Sequence, residues 1–110
     1  MAYDEELAAR IRELLGDERE VTEKKMFGGL AFLVRGNMAI GASGQGGALV
    51  RCNPDDTDTF IANSNAETMV MRGRAMAGWL RVSKEHLHTK RELKKWVDIG
   101  TTQARTLAKK

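Results

Sequence analysis

Apolar residues recur at helical spacing near the start of the chain, where Leu7, Ala8, Ile11, Leu14 and Leu15 form one stripe. Asp4 stands where an N-cap belongs, and Glu5 and Glu6 fall in the first turn, where the helix dipole favours negative charge. Gly16 is expected to end this helix in the left-handed region. Asp17 to Glu20 then forms a charged link, and the period changes from helical to alternating. Val21 to Phe27 reads as a first strand, Gly28-Gly29 as a corner, and Leu30 to Arg35 as a second strand. Gly36-Asn37 suits a two-residue hairpin turn. Placing the turn there sets Arg35 opposite Met38, Leu33 opposite Ile40 and Phe32 opposite Gly41, an aromatic covering a glycine. One sheet face would then carry Leu30, Phe32, Val34 and Ala39, and the other Leu33, Met38 and Ile40. Both faces are apolar, so one helix layer leaves the second to another helix or a partner chain.

Ser43 to Gly47 reads as a glycine-rich hairpin link into a strand over Ala48 to Cys52. It lacks the Lys-Ser/Thr ending of a phosphate loop, and a strand follows it. Asn53-Pro54-Asp55-Asp56 is a helix start with cap, proline and acids in order, predicting a short helix to about Ala62 with Phe60 and Ile61 buried. Glu67 to Arg72 alternates as a strand. Gly73 to Gly78 is expected as a loop, and Trp79 to Val82 as a last short strand with Trp79 turned into the core. Ser83 is placed to cap one helical turn. Thr89-Lys90-Arg91-Glu92 matches a capping box, and Leu93, Trp96, Val97, Gly100, Ala104 and Leu107 mark one face of a terminal helix. Gly100 in mid-helix costs about 1 kcal/mol against alanine, which predicts close packing on the sheet. The expected fold is α+β and two-layered. It has a largely antiparallel sheet of five or six strands, N- and C-terminal helices and one short middle helix, all in one domain over residues 1–110.

Composition narrows the function classes. With 110 residues, 42% hydrophobic and 30% charged, the chain sits within globular norms. One cysteine, Cys52, excludes an intrachain disulfide and fits a reducing compartment. The acidic start lacks a secretion-signal layout, and no apolar run reaches the ~18 residues of a membrane span, so a cytoplasmic protein without a membrane partner is expected. Net charge is +3 but uneven. Residues 1–69 carry seven Lys or Arg against twelve Asp or Glu, and residues 70–110 carry eleven against three. Such asymmetry marks either an acidic-partner or nucleic-acid face, or two halves that attract each other.

The candidate chemistry is sparse. His86, His88 and Cys52 make the one transition-metal set, but histidines two apart share a face only on a strand, and three scattered ligands are no zinc site. No serine elbow, cysteine–histidine pair with an orienting group, paired carboxylates or cofactor loop is found. No catalytic, cofactor-binding or metal-binding residue is assigned, and no cofactor. The basic residues Lys24, Lys25, Arg72, Arg74, Arg81, Lys90, Arg91, Lys94 and Lys95 are the candidates for a nucleic-acid surface, with Trp79 available for stacking.

Three segments carry a family resemblance. Lys24-Lys25-Met26-Phe27-Gly28-Gly29 with its hairpin, Met71-Arg72-Gly73-Arg74-Ala75-Met76-Ala77-Gly78-Trp79, and the terminal helix through Ala104-Arg105-Thr106-Leu107 resemble the N-terminal domain of the TfoX/Sxy competence-regulator family. The likeness runs from about Tyr3 to Lys110; Leu107-Ala108 departs from an expected Leu-Pro. The resemblance implies a two-layer fold like that of secretion chaperones, a regulatory role in switching on DNA-uptake genes, and no enzyme activity. Longer members carry a second, helical domain, and a stand-alone N-terminal domain is expected here. The expected partner is a protein, or a second copy in a homodimer. The surface assigned to it is Met26, Phe27, Gly28, Gly29, Arg72, Gly73, Arg74, Met76 and Trp79; nucleic acid is the second choice.

Overall fold

The computed structural model describes residues 3–16, 18–26, 28–44, 46–71 and 73–107, and the backbone but not the side chain of Met71. Helix α1 (Glu5–Leu14) opens as its sequence demands, with the Asp4 carboxylate accepting from the Leu7 N–H at 3.1 Å. Its end differs from expectation. Gly16 does not adopt a positive φ, and the helix closes on Leu15, whose N–H bonds back to Ile11.

Six strands follow: β1 (Val21–Met26), β2 (Gly29–Val34), β3 (Asn37–Ala42), β4 (Ala48–Arg51), β5 (Ala66–Met71) and β6 (Arg74–Val82). They form one sheet in the order β1-β2-β3-β4-β6-β5, every neighbouring pair antiparallel. Between β4 and β5, a 3-10 turn (Pro54–Asp56) leads into α2 (Thr57–Asn63), with Asn53 Oδ1 accepting from the Asp55 N–H at 2.9 Å. Phe60 and Ile61 are half-buried against the core. A second 3-10 turn (Lys84–His86) precedes α3 (Lys90–Thr106), whose Thr89–Glu92 capping box is complete. Ser83 makes no capping bond; its hydroxyl reaches Glu67 Oε2 at 3.5 Å instead.

Two stretches correct the reading from sequence. The β2–β3 turn is Arg35-Gly36, both at positive φ, and Val34 pairs with Asn37. The turn therefore sits one residue earlier than Gly36-Asn37. Arg35 is held there through its own N–H, which donates to the Glu20 carbonyl at 3.0 Å. Ala39 is then an extra residue in β3, so Leu33 pairs with Met38 while Phe32 pairs with Ile40 and Ala31 with Gly41. A bulge of this kind turns two successive residues to one side, and both Ala39 and Ile40 pack toward the helices. Phe32 thus does not cover Gly41, and Ile40 leaves the second face. The other correction is the stretch 73–78. From Arg74 onward it belongs to the nine-residue β6 rather than to a loop, because β5 and β6 close a tight hairpin with Met71 opposite Arg74.

All three helices pack on one face of the sheet. Their buried residues join Leu30, Phe32, Ile40, Ala42, Ala48, Val50, Leu80 and Val82 in one core. Gly100 lies where α3 crosses β3, and a Cβ there would overlap the Ala39 carbonyl oxygen. This contact explains the mid-helix glycine.

Candidate functional site

The opposite face of the sheet is built by strand alternation. Outside the β3 bulge, the neighbours of each residue that meets the helices point away, and these neighbours form a second apolar cluster. Ala31, Met38, Leu49 and Met69 are its buried members, with Met26, Leu33, Met76 and Trp79 half-buried around them. No helix residue belongs to this cluster among the described residues. Four of the chain's six methionines therefore meet on one surface. Trp79 lies here and not in the core where sequence reading put it.

Basic side chains sit among these apolar groups. Arg51 pairs across β4 and β6 with Trp79, and its guanidinium carbon lies 4.7 Å from the indole centroid. Burial lowers the Arg51 pKa from its ordinary value, and a guanidinium so placed remains a cation at neutral pH. No carboxylate or carbonyl partner to Arg51 exists among the described residues. Lys24 lies opposite Ala31, and Arg81 opposite Leu49, which puts both on this face. Arg81 also donates to the Gly46 carbonyl at 3.5 Å.

The structure unites part of the expected partner surface. Met26, Met76 and Trp79 meet in the second cluster. Gly28 sits at positive φ in the β1–β2 corner, and Gly29 backs so closely onto Ala42 that a Cβ would overlap its carbonyl oxygen. Gly73 and Arg74 lie exposed at the β5–β6 hairpin. Phe27 and Arg72 lie outside the described residues. Sequence reading missed Arg51, because only the β4–β6 register reveals its partnership with Trp79.

The basic set is divided. Lys90, Arg91, Lys94 and Lys95 are exposed on α3, in the helix layer. Lys94 pairs with Asp98 at 2.8 Å, and Lys95 lies 4.9 Å from the Trp96 ring centroid. Lys24 and Arg81 belong to the opposite face, and Lys25 alternates to the helix side at the sheet edge. The histidines are also apart from this face. His86 lies in the 3-10 turn beside Glu85, and the His88 carbonyl accepts from Arg10 of α1 at 2.9 Å. Cys52 is buried, its thiol pushed up by that burial and set 3.7 Å from the Thr57 hydroxyl. No helix among the described residues is long and apolar enough to cross a membrane.

Comparison with curated proteins returned no match. A profile of the TfoX N-terminal domain, by contrast, matches residues 13–104, taking in the whole sheet, α2 and most of α3, and only the last two residues of α1. With that span matched and the two-layer α+β architecture in place, the chain belongs to the TfoX N-terminal domain family.

Proposed function

We propose that this domain is a non-enzymatic regulatory module of the competence-regulator type, acting by protein–protein contact through the methionine- and tryptophan-lined face of its sheet. The observation that carries the reading is the make-up of that face: Met26, Leu33, Met38, Met69, Met76 and Trp79 with no described helix packed on them. Thioether side chains reshape to a partner at little cost, and an indole supplies a large, stiff contact. The lining groups offer adhesion rather than bond-making chemistry. The lone cysteine fits action in a reducing cytoplasm.

The test is a Met26→Gln/Met76→Gln double variant, with folding verified by thermal melting. In the native cell it should reproduce the transcript changes caused by deleting the gene. A wild-type transcript profile from the double variant, where the deletion changes it, would show that the face is not the acting surface. Nucleic-acid binding through the basic C-terminal half is the second reading, resting on the charge asymmetry. It calls for a labelled mixed-sequence duplex whose affinity falls steeply with salt.

A further inference from the structure

We infer that the partner of this face is a protein segment in which an acidic side chain stands among apolar ones, its carboxylate received by Arg51 where that residue stacks on Trp79. The inference rests on the protein-contact reading above and names the chemistry of the partner. Arg51 is half-buried at the end of β4 beside the apolar cluster, with indole on one side and no described carboxylate within reach. A cation in that position has lost part of its hydration without gaining a counter-ion. The indole contact occupies none of the guanidinium N–H groups, which stay available as a fork for a carboxylate. Lys24 on the same face adds positive potential, and Arg81 stands opposite Glu67 across β5 and β6, while the methionines around them take apolar side chains. A nucleic-acid strand fits less well. It needs cations repeated along a track and several stacking rings, whereas among the described residues this face has one ring set among aliphatic and thioether groups.

The two tryptophans make the test direct. Trp79 lies on this face, and Trp96 is buried on the other against Phe60. The probes are a blocked peptide alternating leucine with glutamate, its leucine–glutamine twin, and oligothymidylate, each titrated into the ¹⁵N-labelled chain at low ionic strength. The glutamate peptide should shift the Trp79 indole signal, leave that of Trp96 in place, and bind about tenfold more tightly than its twin, as expected for one charge-assisted bond. Arg51→Met should bring the two peptides to parity. Arg51→Lys, which keeps charge without the fork, should retain part of the preference and serves if Arg51→Met does not fold. Equal affinity of the twins in the wild type would overturn the role of Arg51 yet leave the apolar-contact reading standing. A preference that survives Arg51→Met, a Trp79 signal moved only by oligothymidylate, or one moved by no probe would each overturn the inference.

Discussion

Gly100 shows how one absent side chain sets the spacing between two layers. Alanine would improve the intrinsic helix propensity of α3 by about 1 kcal/mol, but its Cβ would overlap the Ala39 carbonyl. That carbonyl belongs to the bulge in β3, so the helix cannot shift without disturbing the residue that sends both Ala39 and Ile40 inward. Overpacking of this kind costs about 1–3 kcal/mol. Gly100→Ala should therefore destabilise the domain, by about 1 kcal/mol net, measured by denaturant unfolding. An unchanged or raised stability would mean the helix yields at this contact.

Between elements, the least regular join is where β6 meets the turn before α2. Between the Thr68–Leu80 and Val70–Ala75 pairs, β5 has one residue and β6 has four, with Gly78 in the left-handed region. The irregularity is anchored by Thr57, whose hydroxyl accepts from the Gly78 N–H at 2.7 Å and donates to the Pro54 carbonyl at 3.0 Å. Thr57→Val keeps the shape and leaves that buried N–H without a partner, a loss of about 1–3 kcal/mol. Hydrogen exchange at Gly78 should accelerate, while Thr57→Ser should restore it. The helices were legible from sequence because caps and stripes are local signals: Asp4, Asn53, Thr89 and Glu92 all act as their spacing predicts. The hairpins were less so. Turn position in β2–β3 depends on a bond from Arg35 to distant Glu20, and the extended reach of β6 depends on pairing with β5 across a glycine-rich stretch. The apolar second face was readable in Leu33 and Met38, but the pairing of Arg51 with Trp79 on it required the order of the strands.

Over the whole molecule, the acidic first part and basic last part meet. Asp4 pairs with Lys84 at 3.1 Å, and Glu18 pairs with Arg105, tying both flanks of α1 to the later half. The Asp4 carboxyl is held below its ordinary value by the Leu7 N–H first and Lys84 next, and Glu23 by the Arg12 guanidinium. Both depressed groups add stability above the unfolded carboxylate range, about pH 4, which is lost as pH falls through their lower folded values. Asp4→Ala should cost about 1 kcal/mol at neutral pH, as a lost cap does. Its deficit against the wild type should shrink as unfolding is measured at successively lower pH below 4. A constant deficit would assign the loss to something other than the ionised cap. The two sides of the sheet also differ in kind: mostly branched and aromatic hydrocarbon with the buried Cys52 thiol toward the helices, thioether sulfur toward the outside. A peroxide would reach Met26 and Met76 first and turn their thioethers into polar sulfoxides, leaving the valine, leucine and phenylalanine core untouched. Oxidation would thus turn this face polar while the domain stays folded, and a sulfoxide reductase would restore its apolar character.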